Sequence, residues 1–255
     1  MDIIGRGFLA GHLTAIADDH QEVVIAAAGV SAAQHTSQSA FRRETALVRE
    51  LLGRCERSGE KLVFFSTASS GIYARPGRPG TEDGPVFPAT AYGRHKYGLE
   101  QEVASSSADF LILRLGHVVG HDQPPHQLLP ALADQVRSGR VQIFPGARRD
   151  LIDVRDVVSI VDALLASGAG RTTVNVASGC STPIEKIIEH IQDRLGIAAE
   201  WAYSGPTVTQ EICIAKLRHL VPSVDAMGFG PGYYRGVLDR YLPPGPVGGP
   251  AAVSP

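Results

Sequence analysis

Tyr92 and Lys96 stand four residues apart in the stretch Ala91-Tyr92-Gly93-Arg94-His95-Lys96-Tyr97-Gly98-Leu99-Glu100. On a helix, that spacing places the phenol and the ammonium one above the other on a single face. A phenol near its ordinary pKa of about 10 is a poor proton relay at neutral pH, and a fixed cation beside it stabilises the phenolate and eases proton exchange. The pair can therefore serve as general acid and base. Both residue types also occupy solvated helix faces, so the spacing gains meaning only from its surroundings. The basic residues are nearly all arginine, with Lys61, Lys96, Lys186 and Lys216 the only lysines, which makes a chance lysine here less expected.

The elements that must position the pair alternate strand and helix. Asp2-Ile3-Ile4 reads as a short apolar strand, followed by Gly5-Arg6-Gly7-Phe8-Leu9-Ala10 and a helical segment from Gly11 to Asp18. This G-x-G-x-x-A pattern lies between strand and helix, where small residues let the backbone approach a pyrophosphate. Glu22 to Gly29 is an apolar run ending in small residues, and a periodic helix is expected from Ala40 to Ser58. Lys61 to Phe65 is the next strand and leads into Ser66-Thr67-Ala68-Ser69-Ser70-Gly71. The Tyr92 helix should reach Ser105, Asp109 to Leu115 is another strand, and Leu128 to Ser138 and Pro183 to Leu195 read as helices. Such alternation predicts a parallel sheet with helices on both faces, which binds ligands beyond the carboxyl ends of its strands.

Length and composition set bounds on function. With 255 residues, 44% of them hydrophobic, the chain can bury a large core and has room for a smaller subdomain. A formal net charge of -2 argues against nucleic acid or an anionic membrane as the main partner. The sequence opens directly on a strand and has no apolar run long enough to span a bilayer, so a cytoplasmic protein is expected. Cys55, Cys180 and Cys213 are odd in number and widely spaced, and the nine histidines form no ligand cluster. No metal is expected.

Taken in order, these motifs resemble the extended short-chain dehydrogenase/reductases, in the nucleotide-sugar epimerase/dehydratase/ketoreductase group. The resemblance rests on the glycine loop, the Val23 to Gly29 run, Phe65-Ser66-Thr67 with Ile72-Tyr73 beyond it, and Tyr92 with Lys96. It continues through Arg114-Leu115-Gly116-His117-Val118-Val119-Gly120, Arg149-Asp150-Leu151-Ile152-Asp153-Val154-Arg155-Asp156-Val157 and Asn175-Val176-Ala177-Ser178-Gly179, covering roughly residues 1 to 242. It implies a Rossmann-like, doubly wound α/β fold with a small C-terminal substrate-binding subdomain. The dinucleotide domain would take 1–115 and 150–180, the substrate subdomain 116–149 and 181–242, and 243–255 would be a flexible tail. Where the family carries two further strands, only Asp18 to Gln21 remain, so the sheet should be shortened on that side.

The resemblance also implies roles. Tyr92 would exchange the hydroxyl proton of a sugar, Lys96 would hold the nicotinamide ribose, and Thr67 or Ser69 would orient the carbonyl; loop capping is the other reading of whichever hydroxyl is not catalytic. NAD or NADP would lie against Gly5, Arg6, Gly7, Phe8, Leu9, Ala28, Gly29, Val30, Tyr92, Lys96 and Leu115, with Arg6 a contact to a 2′-phosphate if NADP is used. A nucleotide-diphosphate sugar would meet Ser69, Ser70, His117, which stands where many relatives have asparagine, and Arg149, whose alternative is an ion pair with Asp150. Dehydration is disfavoured because Ala68, Ser69, Ser70 and Gly71 occupy the loop where an acid and base would be needed. The expected activity is reduction of a 4-keto-6-deoxysugar by NAD(P)H in a homodimer paired through the helices of 40–58 and 92–105. Epimerisation, or a non-redox binding protein that has lost its cofactor, stays open.

Overall fold

The core strands are near-continuous apolar runs, as strands buried on both faces must be. The computed structural model describes residues 1–30, 37–69, 72–73, 78–205 and 211–245. Five strands, β1 (Asp2–Ile4), β2 (Val23–Ala26), β3 (Lys61–Thr67), β4 (Asp109–Leu115) and β8 (Thr172–Val176), form a sheet in the order β1-β2-β3-β4-β8, parallel throughout. Alternation along β3 shows the two-sided burial: Leu62 and Phe64 join one apolar cluster, Val63 and Phe65 the other.

Helices cover both faces. On one lie α2 (Gln38–Ser58) and α3 (Ala91–Ser105), whose Val48, Leu51, Leu52, Leu99 and Val103 pack on Val24, Leu62, Phe64 and Ile112. On the other lie α1 (Phe8–Leu13), its trailing 3-10 turn Thr14–Ile16, and α5 (Val154–Ala166), which share Leu13, Ile16, Val157, Ile160 and Leu164 with Ile25, Val63 and Leu111. The helix expected to start at Gly11 starts at Phe8, so the last part of the glycine loop is already its first turn.

Strand β1 lies at the sheet edge and pairs only with β2 among the described residues. The sheet is thus short on the side where the sequence lacks two strands. The crossovers through α1 and α2 both connect neighbouring parallel strands and advance the same way across the sheet, yet the helices lie on opposite faces. They therefore have opposite hand, although nearly all such crossovers are right-handed. Helix α1 keeps the face that a right-handed connection to a strand outside β1 would give it, while the chain turns back to β2.

Beyond β4 the chain builds a second apolar cluster. It comprises β5 (His117–Val119), α4 (Leu128–Arg137), β6 (Arg140–Ile143), β7 (Arg148–Asp153), β9 (Ser181–Pro183), α6 (Ile184–Leu195) and β10 (Glu200–Tyr203). Helix α8 (Tyr233–Tyr241) closes it through Tyr234, Val237 and Leu238, whereas α7 (Ala215–Leu220) packs with the main sheet through Leu217. Strands β5, β7 and β9 make a small sheet, and β6 pairs with β10. The expected tail begins packed rather than free, for the Gly245 amide donates to the Arg194 carbonyl at 2.8 Å, and its remainder lies outside the described residues. No helix among the described residues is long and apolar enough to cross a membrane.

Candidate active site

Helix α3 starts where Thr90, in extended conformation, accepts the Gly93 amide at 2.9 Å, a cap of the kind worth about 1 kcal/mol. From that start, the four-residue spacing sets Tyr92 and Lys96 on one face, and Lys96 reaches the sheet. Lys96 is buried, and its Nζ lies 6.0 Å from the Tyr92 ring centre and 5.1 Å from that of Phe64. Nζ donates to the Phe65 carbonyl at 3.0 Å, which fixes the ammonium near the carboxyl end of β3. The same strand end carries both candidate hydroxyls.

A third partner was invisible in the sequence. Glu44, a buried carboxylate on the inner face of α2, accepts from Lys96 Nζ at 2.7 Å and meets His95 Nε2 at 2.9 Å. Gly29 makes room for it: a Cβ there would lie 2.3 Å from Glu44 Oε1 and 3.0 Å from Lys96 Nζ. Burial works to raise the Glu44 carboxyl, but hydrogen bonds from His95 and Lys96 and the Lys96 charge outweigh it and hold the group below the usual carboxylate range. Tyr92 is half-buried, and burial raises its phenol; the Lys96 charge opposes this and Glu44 reinforces it. The ammonium's pull on the phenol is thus partly cancelled by its own counter-ion.

The two hydroxyls after β3 are not equivalent. Thr67 is buried, and its Oγ1 takes the Ser69 amide at 3.0 Å and contacts Ser69 Oγ at 2.7 Å. Thr67 thus caps the loop and holds the half-exposed Ser69 hydroxyl in place. Ser70 lies outside the described residues. Behind the loop, Tyr73 Oη donates to Asn175 Oδ1 at 2.9 Å and accepts from Arg114 Nη1 at 2.6 Å, while Arg114 makes a forked contact with Glu100 at 2.6 to 3.1 Å. The Tyr73, Arg114 and Asn175 motifs therefore build a buried polar lattice that seats the loop, with Glu100 the member that sequence reading missed. Burial opposes the Arg114 charge, but Glu100 outweighs it.

At the glycine turn, Gly5 has φ +151° and a Cβ there would stand 2.5 Å from the Ala27 carbonyl, so the turn needs glycine. It lets β1 end tightly against β2, with the Ala27 amide donating to Ile4 O at 2.9 Å. No atom lies within 4 Å of a Cβ built on exposed Gly7, so the turn is open there. Arg6 and Gly7 are exposed, Leu9 is half-buried, and the Phe8 ring packs beside Gly120 and Val154. Ala28 and Gly29 are exposed beyond β2, Val30 is half-buried and Leu115 is buried at the end of β4.

His117, Arg149 and Asp150 meet where β5 pairs with β7. The Arg149–Asp150 ion pair does not form, because adjacent strand residues point to opposite faces. Asp150 instead accepts from the amide and hydroxyl of Ser178 at 2.8 and 2.6 Å, and Arg149 Nη1 donates to the Arg148 carbonyl at 2.8 Å. No carboxylate pairs with Arg149 among the described residues, and burial lowers its pKa. Burial, with the Arg149 charge, pushes His117 down to about 3, and burial pushes Asp150 up to about 6 against its hydrogen bonds. His117 Nδ1 and Asp150 Oδ2 are sealed from solvent without hydrogen-bond partners. The three cysteines are free, and among the described residues no cluster suits a metal.

The NAD dependent epimerase/dehydratase family matches residues 11–177, the span that carries β2 to β8, Tyr92 and Lys96. The chain belongs to this family. A family relative, dTDP-6-deoxy-L-talose 4-dehydrogenase (NAD(P)(+)) of Kitasatospora kifunensis, is 28% identical over 158 residues, 56% of this chain and 49% of the relative. The chain spans about half the length of the curated relatives it matches. Among solved structures, RMD from Pseudomonas aeruginosa complexed with NADPH has a TM-score of 0.71 at 20% identity, covering 94% of this chain and 98% of that one. The UDP-N-acetylglucosamine 4-epimerase of Methanobrevibacter ruminantium M1, in complex with UDP-N-acetylmuramic acid, gives 0.74 at 18%, covering 94% and 96%. At these identities the likeness is one of fold.

Proposed function

We propose that this chain reduces a nucleotide-activated keto-sugar, a 4-keto-6-deoxyhexose, with NADH or NADPH. One observation supports the reading: Lys96 Nζ, 6.0 Å from the Tyr92 ring centre, donates to the Phe65 carbonyl near the end of β3, the strand that leads into Thr67 and the Ser69 hydroxyl it holds. The residues present suit a nicotinamide nucleotide. Lys96 has two of its three N–H donors committed, leaving one for a ribose hydroxyl, and Gly7 leaves open space beside the glycine turn. When bound, the dinucleotide supplies the hydride. Gly5, Arg6, Gly7, Phe8 and Leu9, Ala28, Gly29 and Val30, and Leu115 with Tyr92 and Lys96 would line its site.

Ser69 Oγ donates to the sugar carbonyl and steadies the alkoxide that forms as the carbon is reduced. Tyr92 then gives its phenolic proton to that oxygen. A phenol raised by burial and only partly relieved by a paired lysine stays protonated at neutral pH, the form that can donate to the alkoxide. The Kitasatospora relative, named as a 4-dehydrogenase of a dTDP-6-deoxysugar, supports the choice of substrate. Arg149, half-buried and without a carboxylate partner among the described residues, suits a diphosphate oxygen, and neutral His117 beside it offers an uncharged ring. The subdomain of 116–149 and 181–242 would hold this sugar nucleotide.

The test is turnover of a thymidine-diphosphate 4-keto-6-deoxyhexose with NADH and NADPH by wild type and by Tyr92→Phe. The proposal expects consumption of added reduced cofactor and a loss of about 10²- to 10⁴-fold in the variant, the usual range for a positioned proton donor. Sugar interconversion without added cofactor would make the protein an epimerase instead.

A further inference from the structure

A dinucleotide normally spans two halves of a sheet wound both ways from the strand that carries the glycine turn. The adenosine ribose is gripped at the carboxyl end of a strand on the far side of that turn. Among the described residues of this chain the sheet stops at the glycine-turn strand itself, β1. After α1 and its 3-10 turn, residues 17–22, all described, lead straight back to β2 on the near side. Two of the three acidic residues of this link are at the wrong end. Asp19 and Glu22 share an open polar cleft with Val23, Lys61 and Asp109, the first residues of β2, β3 and β4, whereas Lys96 binds the Phe65 carbonyl near the carboxyl end of β3. Helix α1, on the face that a connection to an outer strand would use, shows that the floor for adenosine is cut away rather than rearranged.

We propose that this chain binds only the nicotinamide mononucleotide half of its cofactor and leaves the adenosine half in solvent, so that it takes NADH, NADPH and reduced nicotinamide mononucleotide with similar affinity. The inference rests on the redox reading above and specifies which part of the ligand carries the binding. Arg6 stands between Gly5 and Gly7, inside the turn, so the phosphate within its reach is the one common to all three compounds. The 2′-phosphate of NADPH lies on the half that the chain does not hold.

Calorimetric titration at physiological salt with the three reduced compounds tests this on wild type and on Arg6→Gln. The proposal expects dissociation constants within about threefold of one another, a spread below about 0.7 kcal/mol. It also expects Arg6→Gln to weaken all three by a similar factor. Either dinucleotide binding tenfold or more tighter than the mononucleotide would overturn it, because the adenosine half would then contribute about 1.4 kcal/mol or more. A loss confined to NADPH in Arg6→Gln would equally overturn it and assign Arg6 to the 2′-phosphate. If none of the three binds, the redox reading fails along with it, whereas tight binding of a dinucleotide alone removes only the adenosine claim.

Discussion

Tyr92 and Lys96 were legible because their relation is local: four residues on one helix determine a shared face whatever the rest of the chain does. Glu44 was not. It lies 52 residues before Lys96, in the Phe41-Arg42-Arg43-Glu44-Thr45 stretch of an amphipathic helix where a carboxylate reads as solvated, and only packing brings it within 2.7 Å of the ammonium. Removing one partner of a buried pair leaves the other charge uncompensated, at a cost of about 3–5 kcal/mol. Glu44→Ala should therefore lower stability by that order in urea unfolding, while the exposed pair of Arg49 and Glu102 should matter by less than about 1 kcal/mol. Ser69 and Thr67 were ambiguous in the sequence because a loop's register cannot be counted from its ends. In the proposed division, Thr67 caps the Ser69 amide and Ser69 is the hydroxyl that meets the sugar. Ser69→Ala should reduce turnover far more than affinity for the sugar, whereas Thr67→Ala should chiefly lower stability, by about 1–3 kcal/mol for a buried lost hydrogen bond; equal effects on turnover would refute this division.

His117 and Asp150 give opposite pH signatures, also at the residue scale. His117 titrates near 3 when folded and near 6.5 when unfolded, so its contribution to stability is present above about 6.5 and is lost as pH falls toward 3. Asp150 titrates near 6 when folded and 3.8 when unfolded; stability is present at low pH and is lost as pH rises from about 4 through 6. Between pH 4 and 6 the two oppose each other. Relative to wild type, His117→Asn should therefore gain stability as pH is lowered from 7 to 4, and Asp150→Asn should lose it. Denaturant midpoints across that range read the sign, and parallel profiles for both variants would contradict the assignment.

At the scale of elements, the apolar runs and helical periods foretold β3, β4, α2, α3, α4 and α6 nearly residue for residue. The short strands β5, β6, β9 and β10 were not foretold, since three or four residues carry too little pattern to separate strand from loop. The shortened sheet was legible from the brevity of Asp18 to Gln21. The opposite hand of the α1 crossover was not, because sequence tells how long a connection is but not which face it takes. Gly5 is the hinge of that edge. Gly5→Ala would force a side chain into φ +151° and against the Ala27 carbonyl, and should unpair β1 from β2. Hydrogen exchange reads this as faster exchange at Ala27, whose amide bonds to Ile4 O, with the amides of β4 unchanged.

At the scale of the whole molecule, the proposed acid–base crevice sits beside a sheet that, among the described residues, ends at β1, so the nicotinamide end of the cofactor is proposed to be held and its far end not. Lys96 and Glu44 are buried between α2, α3 and the sheet, and Tyr92 is half-buried beside them. Saturation-transfer NMR of NADH with wild type and with Lys96→Met tests the crevice most directly, because each proton of the ligand reports its own proximity to protein. Strong transfer to the nicotinamide ring and its ribose, weak transfer to adenine, and loss of the nicotinamide signal in the variant are expected. Transfer concentrated on adenine, or an unchanged nicotinamide signal without Lys96, would contradict the proposal.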